Sequence, residues 1–214
     1  FIGSTKINAG IPEAIRELNV SFRYNDLQSA QDLFDQHPRQ IACLILEAER
    51  DVPPAPGYLQ ALKDLCESQG ALLIFDEIVT GFRWHNGGAQ TLHGVTPHLS
   101  TWGKAMGNGF AIAALAGQKE FMDRGGIYHE HERVFLLSTT YGAETSGLAA
   151  VKATMSVYQN EDVIGHMNRM GAMLREGVST LIDKHQLHGY FKTFGKDCSL
   201  FFGTNDQQQK PSQP

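Results

Sequence analysis

Residues Ala71–Glu77 read ALLIFDE, an apolar run closed by two carboxylates. A short apolar run of this kind, bounded by a glycine, reads as a buried strand with acid at its C-terminal end. Downstream, STWGKAMGNG (Ser100–Gly109) reads as a short strand entering a glycine-rich turn that carries Lys104. Upstream, Tyr58–Gln69 has the spacing of an amphipathic helix ended by Gly70, and VPPAPG (Val52–Gly57) is a stiff loop before it. IACLILE (Ile41–Glu47) repeats the pattern of a buried strand that ends in a carboxylate. Asn25 or Asp26 can cap a helix running to about Asp35, with Leu27, Ala30, Leu33 and Phe34 on one face. Residues 1–25 otherwise read as irregular chain with turns.

Beyond Asp76, a glycine-rich stretch runs from Gly81 to about Pro97. Ala111–Gly117 reads as a strand, Gln118–Arg124 as a short helix, and VFLLSTT (Val134–Thr140) as a strand. Two helices follow, over about Ala143–Tyr158 and Glu161–Lys184. YFKTFG and CSLFFG suggest a hairpin, and the polar tail Asn205–Pro214 reads as disordered. Apolar strands alternating with amphipathic helices predict an α/β domain with a mainly parallel sheet. Ligands of such sheets sit outside the carboxyl ends of the strands. Glu47, Asp76, Lys104 and Thr140 all fall at or just past expected strand ends.

Composition narrows the function classes. The chain has 214 residues, 42% of them hydrophobic and 19% charged, enough for a packed core. Lys+Arg 18 against Asp+Glu 23 leaves −5, which argues against a general basic face for nucleic acid. Cys43, Cys66 and Cys198 form no CxxC pair, so they suggest neither a disulfide framework nor a zinc site, and a cytoplasmic, reducing compartment fits them. No apolar run is long enough to span a bilayer. His129 and His131 in HEHE lack a third ligand at metal spacing, so exposure in a loop is the better reading and no metal is expected.

The chemistry concentrates on two residues. Lys104 lies among Gly103, Gly107 and Gly109, but His98 and Ala105 occupy the positions where a phosphate-binding P-loop needs Gly and Ser or Thr. A dinucleotide GxGxxG is also missing. A strand-end lysine desolvated by apolar neighbours can instead lose its proton and form an imine with an aldehyde cofactor. A carboxylate on an adjacent strand, Asp76, can keep a pyridine nitrogen protonated, the pairing used for pyridoxal phosphate. Thr140, ahead of a helix N-terminus, can donate to a phosphate. Each residue has a blander reading, Asp76 as a cap and Lys104 as a solvated turn lysine, and only the combination favours chemistry.

Three blocks carry a specific resemblance: PPAPGYLQALKDLCESQGALLIFDEIVTGFR, GGAQTLHGVTPHLSTWGKAMGNGFAIAALAG and TTYGAETSGLAA. In order and spacing the chain resembles the class III pyridoxal-phosphate-dependent aminotransferases, in the branch containing glutamate-semialdehyde aminomutase, from about Gly10 to Lys184. The resemblance implies the large domain of fold type I and pyridoxal 5′-phosphate as cofactor. It implies that Lys104 carries the cofactor as an imine and shuttles a proton, and that Asp76 partners the pyridine nitrogen. Ile78 then packs on one ring face, and Thr140 binds the phosphate across the interface of a homodimer. Glu47 matches an acidic strand end with a hydrogen-bonding role. Glu77 and Gln90 are expected to be structural and Met106 to be packing.

Residues 1–185 are accordingly expected to form part of the large domain, 186–203 the start of a truncated small C-terminal α+β domain, and 204–214 a disordered tail. The family's upstream phosphate loop and ring-stacking aromatic are expected to lie outside this sequence, which starts at Phe1. His98 stands where the family usually has Asp, and GNGF, AIAALAG and TTYGAETSG depart from the aminomutase pattern. Those departures favour transfer of an amino group from a small-molecule donor amine to a carbonyl acceptor. Isomerisation of the aminomutase type is the alternative, and an inactive structural or interaction module is a second one.

Overall fold

The computed structural model describes residues 8–132, 140, 142–208 and 210–212. Helices α1 (Glu13–Arg16), α2 (Leu27–Gln36) and α3 (Tyr58–Gln69) accompany strands β1 (Cys43–Leu46) and β2 (Leu72–Asp76). Then come α4 (Gly88–His93), β3 (Leu99–Trp102), a 3₁₀ turn at Lys104–Met106, β4 (Ala114–Gly117) and α5 (Lys119–Met122), which runs into a second 3₁₀ turn. Two long helices, α6 (Thr145–Asn160) and α7 (Val163–Lys184), lead to the hairpin β5 (Phe191–Lys196) and β6 (Ser199–Thr204).

The main sheet has the order β1-β2-β3-β4. Strand β2 pairs parallel with β3, Asp76 facing Thr101, and β3 pairs antiparallel with β4. Leu73 and Phe75 of β2 are fully buried, while Leu72, Ile74 and Asp76 between them are half-buried. The apolar run is therefore enclosed completely on one face only. Strand β4 is exposed along its whole length, as an antiparallel edge strand can be.

Contacts divide the chain into two units. The first comprises Phe1–Leu44 and Pro54–Leu73. Its core is the apolar face of α3, with Leu59, Leu62, Leu65 and Cys66 at helical spacing, together with Ala30 and Phe34 of α2. Asp26 caps α2, its carboxylate accepting the Ser29 N–H at 3.0 Å, and Tyr24 meets Tyr58 edge-on at 5.5 Å. Burial pushes the Cys66 thiol up to about 12, with Cys43 and Glu67 adding to the effect.

The second unit comprises Ile45–Pro53 and Ile74–Pro214. Asp162 caps α7 by accepting the Gly165 N–H at 3.0 Å. The hairpin sits against α7: Arg175 donates to Asp197 Oδ1 and to the Gly195 carbonyl, both at 2.7 Å. A side chain at Gly171 would collide with the Asp197 carbonyl, so this helix–hairpin approach requires glycine.

Several expectations need adjustment. A helical turn, α1, lies within residues 1–25, and α4 lies within the glycine-rich stretch. The expected strand Val134–Thr140 lies outside the described residues except for Thr140, which is exposed in a turn. Local polar contacts lie within the described part of the polar tail. Asn205 bridges to Pro211, and the Asp206 side chain accepts the Gln208 and Lys210 N–H groups at 2.8 and 2.9 Å.

Candidate functional site

Asp76 closes β2 at the carboxyl edge of the sheet. Its Oδ1 accepts the Ile78 N–H at 3.0 Å and the Thr101 hydroxyl at 3.2 Å. Thr101 is its register partner on β3, and the Thr101 carbonyl accepts the Glu77 N–H at 2.9 Å. The side chain is thus held by the turn after β2 and by β3. Oδ2 makes no hydrogen bond among the described residues. Three residues past Thr101, Lys104 opens the 3₁₀ turn. It is exposed and has φ +45°, a left-handed conformation that costs a non-glycine residue about 1–3 kcal/mol. Conformations of this kind concentrate at functional positions.

Ile78 is near both chain positions. A Cβ on Gly103 would stand 3.8 Å from Ile78 Cγ1 and Cγ2, so the branched side chain rests against the backbone just ahead of Lys104. Met106 is buried, as packing requires. The structure therefore brings Asp76, Ile78 and Lys104 to adjacent strand ends. It does not supply the desolvation expected for Lys104, which is exposed in the 3₁₀ turn. Among the described residues, no hydrogen bond joins Thr140 to these three.

The loop after Asp76 is organised by a buried carboxylate. Glu77 is fully buried and accepts the Ala89 and Gln90 N–H groups, both at 2.8 Å, together with the Thr80 hydroxyl. These are first-turn amides of α4, so Glu77 caps that helix from a distance. Gly88, at φ +72°, lies so close to the Glu77 carboxylate that any Cβ would strike it. Glu77 and the Gln90 backbone thus fix the shape of the loop. Farther along, Tyr158 on α6 donates to the Phe82 carbonyl at 2.8 Å and meets the Phe82 ring edge-on at 5.5 Å.

Glu47, just past β1, has its Oε2 buried without a hydrogen bond, 4.0 Å from Arg50 Nε. His98 is buried and meets Phe121 edge-on at 5.9 Å. His129 and His131 stack at 6.0 Å, and the described residues contain no group of three or more metal-ligating side chains. Reasoning from sequence missed Thr101 as the anchor of Asp76. Aligning the two strand ends would have exposed it. It also missed Glu49, His93 and Lys196, which meet in space but are far apart in the chain and carry no motif.

The class-III aminotransferase family pattern matches residues 4–209. The chain belongs to the class-III aminotransferases. This class-III chain is 38% identical over 205 residues to glutamate-1-semialdehyde 2,1-aminomutase of Nitratidesulfovibrio vulgaris strain DP4, covering 92% of the chain and 46% of that protein. It spans about half the length of the curated relatives it matches. Among solved structures it is similar to the FumI protein of Sphingopyxis sp. MTA144, in its pyridoxal-phosphate internal aldimine form. That likeness has TM-score 0.82 and 26% identity, over 92% of this chain and 47% of that one. It is also similar to an omega-transaminase from Sphaerobacter thermophilus, with TM-score 0.74 and 26% identity, over 89% and 43%. The mixed, mostly parallel sheet flanked by helices agrees with fold type I. No helix among the described residues is long and apolar enough to cross a membrane.

Proposed function

We propose that this class-III chain carries the lysine–aspartate half of a pyridoxal-phosphate aminotransferase site, which moves an amino group from a donor amine to a carbonyl acceptor. The observation that carries the reading is the pairing of Asp76 and Lys104 at neighbouring ends of parallel strands. The residues fit the cofactor. Asp76 Oδ1 is occupied by Ile78 and Thr101, which orients the carboxylate and leaves Oδ2 available to a pyridinium N–H. Ile78 offers an apolar surface beside Gly103, suited to one face of a flat ring.

Bound pyridoxal phosphate supplies an aldehyde that exchanges with amines and a ring that draws electrons from the substrate carbon. Asp76 would keep the ring nitrogen protonated by placing a fixed negative charge beside it. Lys104 Nζ would hold the cofactor through its aldehyde carbon and, once freed by the substrate amine, would act as the base that takes the proton from the substrate carbon. Thr140 Oγ1 would donate to the phosphate of a cofactor held by an adjoining subunit, which makes a homodimer the active unit of this reading. Residues from 186 onward begin a smaller domain. A cytoplasmic location belongs to the same reading.

Titrating the chain with pyridoxal phosphate tests it. An absorbance change that saturates in the wild type, and weakens in Asp76→Asn, supports the site. Turnover that requires a separate amino donor then establishes transamination. The 38% identity to an aminomutase favours one second reading, an internal shift of the amino group, for which turnover proceeds with no added donor.

A further inference from the structure

Glu49 sits in the loop after β1 with 3% of its side chain exposed. Burying a carboxylate is costly unless both oxygens find partners. Here each oxygen has one. Oε2 meets His93 Nε2 at 2.6 Å, and Oε1 meets Lys196 Nζ at 2.9 Å. The partners come from different elements: His93 ends α4, and Lys196 ends β5 of the C-terminal hairpin. Arg50, the next residue, lies over the Phe201 ring of the same hairpin, 5.9 Å from its centroid.

Helix α4 is thus tied at both ends by buried carboxylates. At its C-terminal end Glu49 holds His93. At its N-terminal end Glu77 accepts the Ala89 and Gln90 N–H groups. Glu77 is bonded in the chain to Asp76, the residue that the proposed function puts on the cofactor. Polar contacts thus link Lys196 through Glu49 to His93 at one end of α4 and Glu77 to the other end, and Glu77 is the chain neighbour of Asp76.

We propose that Glu49 is a positioning residue that couples the C-terminal hairpin to the strand end bearing Asp76. The coupling arises because one buried carboxylate serves two partners. If Lys196 moves away, Glu49 is left half-satisfied, and its hold on His93 reorganises or takes up water. Movement of the hairpin then loosens α4 and with it the loop under Asp76. Reciprocity is required: whatever weakens the His93 contact must loosen the hairpin by the same factor. The link to catalysis rests on the proposed cofactor site, whereas the mechanical coupling does not.

Hydrogen exchange on the full chain tests the coupling. Lys196→Met should speed exchange of the Ala89 and Gln90 amides several-fold, although Lys196 touches neither residue. His93→Ala should speed the hairpin amides, residues 191–204, by a similar factor. Lys192→Met is the control: Lys192 lies on the same strand over Phe194, and its loss should leave α4 unchanged. Faster exchange confined to the hairpin in Lys196→Met overturns the proposal. So does equal loosening of α4 in the control, which would mean global destabilisation. A pyridoxal phosphate titration of the same proteins separates the two ideas. Coupling without any cofactor binding by the wild type supports the latch and overturns the cofactor reading. Saturable binding with no coupling overturns the latch alone.

Discussion

Lys104 occupies a left-handed backbone conformation that glycine would adopt freely. A lysine retained there at a cost of about 1–3 kcal/mol is accounted for if its amine is needed at that point of the edge. Lys104→Gly should therefore raise thermal stability, by about 1 kcal/mol, while removing all covalent attachment of pyridoxal phosphate. A melting curve that falls instead would show that the side chain stabilises the turn. Asp76 presents the opposite case. Asp76→Asn keeps an acceptor for Ile78 and Thr101, so its melting temperature should change little. Loss of the charge-assisted hydrogen bond to the ring should weaken cofactor binding about 10- to 100-fold, read from the same absorbance titration. Unchanged affinity would assign Asp76 to the fold alone.

Cys66 supplies a pH test at the same scale. Its thiol is pushed up to about 12, first by burial and then by Cys43 and Glu67. A raised pKa means that the neutral thiol is the form the fold prefers. Its contribution to stability is complete below the unfolded value of about 8.5 and is lost as pH climbs toward 12. Iodoacetamide at pH 8.5 should leave Cys66 unmodified in the native chain and alkylate it in urea, as mapped by peptide mass spectrometry. Native modification of Cys66 would contradict the buried environment.

At the scale of elements, the strands and long helices were legible because their patterns are local. The α3 helix runs over Tyr58–Gln69 as its spacing predicts, and β2 falls within ALLIFDE. Asp26 caps α2, one of the two residues that the sequence offers for that position. Helix α4 was not legible, because its amphipathic signal is a single short turn framed by glycines and its N-terminus is capped by Glu77 from a distant position. The Asp206 contacts in the tail were hidden for the same reason, since one aspartate accepts two backbone amides there. The placement of Asp76 and Lys104 at the ends of adjacent strands could be read, while the Thr101 anchor and the Glu49 cluster required register and tertiary contact.

Two predictions belong to α7. Gly171→Ala should force the helix and the Asp197 carbonyl apart, costing about 1–3 kcal/mol and exposing the hairpin to faster proteolysis. Resistance equal to the wild type would mean that the hairpin docks elsewhere. At the start of α7, the Arg169 guanidinium and the Gly165 amide hold the Asp162 carboxyl below its usual range. A lowered pKa gives a stabilisation that is present above the ordinary carboxylate value and fades as pH falls through the folded one. The stability gap between wild type and Asp162→Asn should thus be full at pH 7 and shrink below about pH 4. Melts of both proteins across that range would reveal it, and a gap that stays constant would exclude the carboxylate as its source.

For the whole molecule, the central claim is that one chain, about half as long as its curated relatives, holds the cofactor lysine and the cofactor aspartate on one sheet edge. Family membership and fold carry part of that claim, and the strand-end geometry carries the rest. Borohydride reduction in the presence of pyridoxal phosphate, followed by peptide mapping, tests it most directly. The account predicts a phosphopyridoxyl group concentrated on Lys104, absent from Lys104→Ala and diminished in Asp76→Asn. Labelling spread over surface lysines, or persisting unchanged when Lys104 is replaced, would contradict it.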